Sequence, residues 1–310
     1  MVQTSSTIAL GSNLTSKHRF IQSIAGVLKI ADFGGWQKWS GAAILGFASA
    51  ISKGNSFSLL QIQGIAIGMP LVLSYNQAIN DCFDVEIDKV KEEMTGKKLV
   101  VTNTISYKTA LAVTCSFLLI GLISSWFASA SLFLFCLFGA VLGTLYSAPP
   151  FRLKMRYPFS TLIQFLGCFF PFLAGAASIG NLTIQTLAIS SSFAVFAIIQ
   201  RFNHEITNYE VDFRTGKKTI AVVKGLKTAI LFRRFALLLG IMALVVFFIL
   251  GWLNIVLLFL FGVYLFLIIS SGIWLRFLPP PVKAVLAPLL MVSSYLLLII
   301  VLILYGANYV

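Results

Sequence analysis

The sequence contains little charge. Only 11% of its 310 residues are charged and 58% are hydrophobic, whereas an ordinary soluble domain carries about 25% charged residues. So little charge cannot cover a water-exposed surface, which excludes a soluble globular enzyme, a disordered chain and a nucleic-acid-binding domain. The net charge of +13 is therefore interpreted as attraction to a membrane surface.

Cysteine is also scarce. The four cysteines form no CxxC pair, and three of them lie in apolar runs, so we expect buried free thiols rather than a disulfide or metal framework. The first twenty residues are polar and contain neither a short apolar core nor a small-residue cleavage site. We therefore expect no cleaved signal peptide.

Long apolar runs are abundant instead. Crossing ~30 Å of hydrocarbon takes about 20 mostly apolar residues, and nine segments qualify: 36–53, 57–79, 108–127, 129–147, 159–180, 183–202, 229–252, 254–275 and 284–306. We predict an all-α polytopic membrane protein with about nine transmembrane helices and an active-site cap on the cytosolic side. This transmembrane domain covers residues 36–310. An N-terminal cytosolic or interfacial segment, residues 1–35, precedes it and includes an amphipathic stretch at 20–34.

The charges between the spans predict their orientation. The linkers after the second, fourth, sixth and eighth spans are long and basic, and nine spans put the N-terminus on the same side. Counting the N-terminal segment and the span edges, this side contains 22 of the 23 lysines and arginines, and only Lys53 lies on the other. Positive charge favours the cytoplasmic side. We therefore expect the N-terminus and the long linkers in the cytoplasm and the C-terminus on the opposite side.

The ten acidic residues are concentrated at two span ends. Six lie between residues 81 and 93, three lie between 205 and 212, and only Asp32 stands apart. Both groups follow a predicted span on the cytoplasmic side. Acidic side chains next to the hydrocarbon are costly, so their position indicates function.

The first acidic group has a helical spacing. Asn80, Asp84 and Asp88 are four residues apart and would share one helical face, with Asp81 at its border. Carboxylates this close repel one another unless a cation lies among them. Because every ligand atom is oxygen, Mg²⁺ suits this group better than zinc. A solvated acidic helix end is the alternative, and the regular spacing argues against it.

The second acidic group predicts a similar face. Glu205, Asn208 and Asp212 stand at i, i+3 and i+7, which places their oxygen atoms on one side of a helix. Lys217 and Lys218 follow and are candidates for contacting phosphate. Two oxygen-lined faces next to basic residues predict a site for a diphosphate, whose charge metal ions and cationic side chains stabilise.

A basic loop lies between the two groups in sequence. After Tyr146-Ser147-Ala148, two prolines stop the helix and favour an extended turn. In an extended segment Arg152, Lys154 and Arg156 would point to one side. Topology alone explains basic residues after a span, but it does not explain the rigid Tyr-Ser-x-Pro-Pro sequence before them.

These motifs resemble those of the UbiA superfamily of intramembrane prenyltransferases, and the resemblance covers nearly the whole chain. The NDxxDxxxD motif is matched at Asn80, Asp81, Asp84 and Asp88, the YSxPPxRLK loop from Tyr146 to Lys154, and the second motif at Asp212, Gly216 and Thr219. The resemblance implies Mg²⁺-dependent transfer from a prenyl diphosphate. Together, the resemblance and the two acidic groups predict catalytic roles for Asp84, Asp88 and Asp212; diphosphate binding by Asn80, Tyr146, Arg152, Lys154, Lys217 and Lys218; and metal binding by Asn80, Asp81, Asp84, Asp88, Glu205, Asn208 and Asp212.

One departure from the family pattern concerns the second motif. Asn208 stands where the family usually has Asp, and a neutral amide brings no charge to a metal ion. We therefore expect Glu205 to share this role. The alternative is that Glu205 pairs with Arg201, four residues before it.

The resemblance leaves the reaction open within the superfamily. The acceptor could be an aromatic acid or quinol precursor, a glycerol-phosphate lipid, a chlorin or another isoprenoid, and a membrane terpene cyclase is an alternative. A multi-pass transporter is disfavoured because transporters place their sites near the midplane. The expected partners are a prenyl diphosphate, a hydrophobic acceptor and membrane lipid, with no nucleic acid and no obligate protein partner.

Overall fold

The computed structural model describes residues 37–85, 87, 89–90, 93, 106–263 and 293–306, and these residues contain helices and no strand. We number the helices α1 Gln37–Ile51, α2 Leu59–Phe83, α3 Tyr107–Ala128, α4 Ala130–Ser147, α5 Phe159–Ala177, α6 Ile184–Thr207, α7 Tyr209–Arg214, α8 Ile220–Lys224, α9 Leu226–Ile249, α10 255–263 and α11 Ser293–Gly306. A π-helical stretch, Gly64–Gly68, interrupts α2.

Six of the described helices, α2 to α6 and α9, are long and apolar enough to cross a membrane. They confirm the predicted multi-pass helical membrane protein for the described part of the chain. Helix α1 has 15 residues, which span about 22 Å at 1.5 Å per residue. The predicted eighth and ninth spans lie partly outside the described residues, so the number nine stays a prediction. The predicted N-terminal segment, residues 1–35, lies outside them entirely.

The connection between α3 and α4 is a single residue. Ser129 has an extended backbone, with φ −169° and ψ 150°, and it is both the C-cap of α3 and the N-cap of α4. Its hydroxyl accepts a hydrogen bond from the N–H of Leu132 at 3.1 Å, which satisfies a donor that the first turn of α4 would leave unpaired. The chain therefore reverses directly between these two helices.

Helix α1 lies against α5 at a close crossing. A Cβ atom on Gly46 would lie 1.9 Å from the carbonyl oxygen of Phe172, and one on Gly175 would lie 1.9 Å from that of Ala43. The two backbones therefore touch, as small residues allow between membrane helices. Phe172, Phe193 and Phe261 fill the bundle core beside this crossing.

Successive helices alternate in direction, so every second one ends on the same side of the bundle. Helix α2 ends at Phe83, α4 at Ser147 and α6 at Thr207. The loop 148–158 and the segment 208–225, which contains α7 and α8, follow two of these ends. The N–H of Lys218 donates to the carbonyl of Met155 at 3.0 Å, so the loop and the segment meet.

Candidate active site

The first acidic group lies where α2 ends. Asn80 is in the last turn of the helix, and Asp84 caps it with φ −100° and ψ 6°. The expectation of an unbroken helix through Asp84 is therefore wrong, but Asn80 and Asp84 do lie on a common side, because Nζ of Lys154 contacts both side chains. The freed carbonyl of Phe83 accepts a hydrogen bond from Arg152 at 2.9 Å, which stabilises this early end. Asp88 lies outside the described residues.

Lys154 joins the loop to this helix end. Its side chain is only 3% exposed, and its Nζ lies 2.5 Å from Oδ1 of Asp84 and donates to Oδ1 of Asn80 at 2.9 Å. The hydroxyl of Ser147 donates to the same Asn80 oxygen at 3.1 Å. Burial lowers the pKa of the Lys154 amine, while the carboxylate of Asp84 acts in the opposite direction. We call Asn80, Asp84, Arg152 and Lys154 the first half-site.

The basic loop is not extended as predicted. Arg152 has a left-handed backbone with φ 39°, and a 3-10 turn follows at Leu153–Met155. Arg152 and Lys154 both face Asp84, at 3.9 and 2.5 Å. Arg156 turns away and donates to the carbonyl of Pro150 at 3.2 Å. The expectation that all three basic side chains point to one side is wrong for Arg156, because the turn breaks the alternation of an extended strand.

The second acidic group is divided between two helices. Helix α6 ends at Thr207, and Asn208 caps it with φ −101° and ψ 17° before α7 begins. The side-chain amide of Asn208 donates to the carbonyl of His204 at 2.8 Å. The predicted single face through Glu205, Asn208 and Asp212 is therefore wrong, because the chain bends at Asn208.

Asp212 and Lys217 form the second half-site. Asp212 is buried, and Nζ of Lys217 lies 3.2 Å from its Oδ1. Gly216 has φ +68°, a left-handed conformation that glycine adopts at helix ends. This turn lets the N–H of Lys217 donate to the carbonyl of Asp212 at 2.9 Å. The side chain of Lys218 is exposed.

Glu205 is fully buried and both of its oxygens are engaged. Oε1 lies 2.6 Å from Nε of Arg201, and Oε2 accepts the N–H of Ile220 at 3.1 Å. The structure therefore shows the pairing with Arg201 that was the alternative, and it does not support Glu205 as a metal ligand. Arg201 also donates to the hydroxyl of Tyr146 at 3.2 Å.

The structure brings the two half-sites together at one end of the bundle. The loop 148–158 contributes to the first, and it is hydrogen-bonded to the turn that contributes Lys217 to the second. The positive charge of Lys217 also lowers the pKa of the Lys154 amine. Sequence reasoning missed the contact of Ser147 with Asn80 and gave Arg201 only as an alternative partner of Glu205. The signal for Arg201 was its position, since α6 contains no other arginine or lysine.

The oxygen atoms of the two half-sites fit Mg²⁺. Among the described residues no three His, Cys, Asp or Glu side chains lie close enough to hold a metal ion together. Asp84 with Asn80, and Asp212 separately, each offer one carboxylate. Mg²⁺ is commonly held by one or two carboxylates, with substrate phosphate and water as its other ligands, so this sparse, all-oxygen set suits it.

The fold and the site define a class: a multi-pass helical membrane protein with an acidic and basic site at one end of its bundle. The family model for the UbiA prenyltransferase family matches residues 41–293. The chain belongs to this family.

Solved structures share the fold. A UbiA homolog from Archaeoglobus fulgidus bound to GPP and Mg²⁺ has a TM-score of 0.67 at 18% identity, with 89% of this chain and 99% of that chain covered. The same homolog bound to DMAPP and Mg²⁺ has a TM-score of 0.66 at 18% identity, covering 88% and 98%.

Curated relatives match part of the chain. Protoheme IX farnesyltransferase 2 from Chromobacterium violaceum is 29% identical over 195 residues, which cover 59% of this chain and 63% of the relative. Chloroplastic chlorophyll synthase from Oryza sativa subsp. japonica is 26% identical over 170 residues, covering 52% and 44%. The match thus spans less than two thirds of either relative.

Proposed function

We propose that the chain is an intramembrane prenyltransferase that transfers a prenyl group from a prenyl diphosphate to a hydrophobic aromatic or lipid acceptor. One observation carries this proposal: two carboxylates, each paired with a lysine, lie at the same end of an apolar helical bundle. Membership of the UbiA prenyltransferase family supports it. The fold also matches a homolog solved with GPP and Mg²⁺.

The basic side chains of this site hold the diphosphate. Lys154 and Lys217 each carry three N–H donors, and Arg152 supplies a further cation beside Asp84. Asn80, Tyr146 and Lys218 complete the diphosphate-binding set. Because the lysines are held by buried or half-buried contacts, their charges are in place before the diphosphate departs, which is the arrangement that stabilises developing negative charge.

Mg²⁺ fits both half-sites in this proposal. Asn80, Asp81, Asp84 and Asp88 would hold it at the first, and Asn208 and Asp212 at the second. When bound, Mg²⁺ neutralises negative charge on the diphosphate leaving group. We leave Glu205 out of this set because Arg201 and Ile220 engage both of its oxygens. Asp84, Asp88 and Asp212 are the acidic residues on which turnover depends.

We place the site at the cytoplasmic face of the membrane. The loop 148–158 and the segment 208–225 carry basic residues, which favour the cytoplasmic side. The N-terminus then lies in the cytoplasm and the C-terminus on the opposite side. The expected binding partners are the prenyl diphosphate, the hydrophobic acceptor and the surrounding lipid.

The test is product formation by the purified chain in nanodiscs. Geranyl, farnesyl and geranylgeranyl diphosphates are each combined with an aromatic acid, a quinol precursor, a glycerol-phosphate lipid and a chlorin, and products are identified by mass. We expect one prenylated acceptor, formed with Mg²⁺ and not with EDTA. A cyclised product from the prenyl diphosphate alone would instead identify a terpene cyclase, and no diphosphate release from any substrate would contradict both activities.

A matched pair of variants accompanies this test. Asp84→Asn removes the charge of the first half-site while keeping the size of the side chain. Glu210→Gln makes the same change at an exposed acid that pairs with Arg214 on α7. We expect parental product formation from the Glu210 variant and at least about 10²-fold less from the Asp84 variant.

A further inference from the structure

We infer that Arg201 and Glu205 are positioning residues that hold the two half-sites in register with each other. This inference rests on the proposed function and adds to it, because it assigns a role to two residues that contact neither diphosphate nor metal in that proposal.

The pair is buried within the bundle end. Arg201 is 6% exposed and Glu205 is 0% exposed. Their contact joins two turns of α6, and among the described residues each further hydrogen bond made by their side chains leads to another segment. Arg201 donates to the hydroxyl of Tyr146 at the end of α4. Glu205 accepts the N–H of Ile220 at the start of α8.

Each of these two segments carries a contact of a half-site. Tyr146 is followed by Ser147, whose hydroxyl donates to the Asn80 oxygen that also binds Lys154. On the other side, Ile220 follows the turn in which the N–H of Thr219 donates to the carbonyl of Lys217. The pair therefore connects the residues that hold Lys154 with the turn that presents Lys217.

Stability alone does not account for this arrangement. A buried ion pair costs desolvation that apolar residues of similar size avoid, and replacing both partners is often neutral or stabilising. In addition, Nη2 of Arg201 is buried without a hydrogen-bond partner among the described residues, which is a further cost. A positioning role explains why two charges lie at the junction of three segments.

The same helix end offers a control pair. Arg214 and Glu210 have the same spacing of four residues and an N–O distance of 3.1 Å, but both side chains are 58% exposed. Exposed pairs of this kind contribute little to stability. Replacing them removes the same two charges from the same end of the protein without removing a connection between the half-sites.

The experiment compares two double variants in nanodiscs. One replaces the buried pair, Arg201→Met and Glu205→Met, and the other replaces the exposed pair, Arg214→Met and Glu210→Met. Four quantities are measured: thermal melting, the kcat of diphosphate release, the Mg²⁺ concentration at half-maximal rate, and hydrogen exchange of the backbone amides of residues 215–224. Glu205→Gln serves as a second variant, since it keeps an acceptor for Ile220 while removing the anion that is hydrogen-bonded to Arg201.

For the buried pair we expect a melting temperature close to the parent's, a kcat at least tenfold lower, an unchanged Mg²⁺ midpoint and faster exchange in residues 215–224. Glu205→Gln should lower kcat in the same way. The exposed pair should leave all four quantities unchanged. A folded buried-pair variant with full kcat would overturn the inference while leaving the proposed function intact.

Two other outcomes also decide the matter. A raised Mg²⁺ midpoint in Glu205→Gln, with kcat restored at high Mg²⁺, would make Glu205 a metal ligand and overturn the positioning role. If the parent itself releases no diphosphate, the proposed function fails. The exchange measurement then decides alone: faster exchange supports the positioning role, and unchanged exchange in residues 215–224 overturns it.

Discussion

Lys154 illustrates at the residue scale how the site balances its charges. A lysine that is 3% exposed has lost most of its water, so it is stable as a cation only next to an anion or strong acceptors. Asp84 and Asn80 supply both. The pairing also keeps the carboxylate of Asp84 from being an isolated charge at the membrane edge. Each partner is therefore held in place by the other before any substrate arrives.

Replacing Asp84 tests the first half-site. Asp84→Ala should lower turnover by about 10²-fold or more. Removing one preorganised group that stabilises charge in the transition state lowers the rate by about 10²–10³-fold. The protein should still insert and purify, because Lys154 keeps its bond to Asn80. Asp88→Ala should behave in the same way. Turnover is measured as diphosphate release, and a near-parental rate in either variant would remove that aspartate from the mechanism.

At the element scale, glycines determine how closely two helices can approach each other. At the α1–α5 crossing, Gly46 and Gly175 each lie where a Cβ atom would overlap a backbone oxygen of the other helix. A backbone oxygen cannot move aside as a side chain can. In contrast, a Cβ atom added to Gly139 in α4 would have no neighbouring atom of another segment within 4 Å among the described residues.

These two environments predict opposite results for the same substitution. Gly175→Ala should destabilise the protein by about 1–3 kcal/mol or more, the usual cost of overpacking. Gly139→Ala should be neutral or stabilising by up to about 1 kcal/mol, because alanine favours a helix more than glycine does. Thermal unfolding in detergent measures both. Equal melting temperatures for the two variants would show that the α1–α5 crossing is not as close as described.

At the scale of the whole molecule, the proposed location of the site at the cytoplasmic face depends on how the chain is oriented in the membrane. Arg214→Cys, on α7, and Leu182→Cys, on the connection between α5 and α6, can be compared in a variant without the four native cysteines. An impermeant thiol reagent should label position 214 only from the cytoplasmic side and position 182 only from the opposite side. Labelling of both positions from the same side would contradict the topology.

The sequence predicted the molecule well where one strong force decides the outcome. Long apolar runs predicted the helices α2 to α6 and α9, because the membrane allows few alternatives to a helix. The motif residues Asn80, Asp84, Lys154 and Asp212 were also identified, since their oxygens and charges have few other uses at a span end. Their roles in binding and turnover stay predictions.

The sequence predicted less well where competing contacts decide the outcome. Helical spacing favoured continuous helices through Asp84 and Asn208, but both residues end a helix. Near Asp84, the end of the helix is bound by two side chains from a loop about 70 residues away in sequence. Arg152 donates to the carbonyl of Phe83, and Lys154 donates to the side-chain oxygen of Asn80. Glu205 was assigned to a metal by analogy with a family motif, whereas its burial next to Arg201 depends on how α4, α6 and α8 pack together. Spacing along one segment carries no information about such distant partners.

The most direct test of the central claim is the formation of prenylated product by the purified chain and by Asp212→Asn, each with Mg²⁺ and with EDTA. The claim is that the two half-sites act together on one diphosphate. It predicts that the parent forms product with Mg²⁺ but not with EDTA. It also predicts that Asp212→Asn forms none with Mg²⁺, even though Asp84 and Lys154 are intact. Product from the parent in EDTA, or parental product formation by Asp212→Asn, would contradict it.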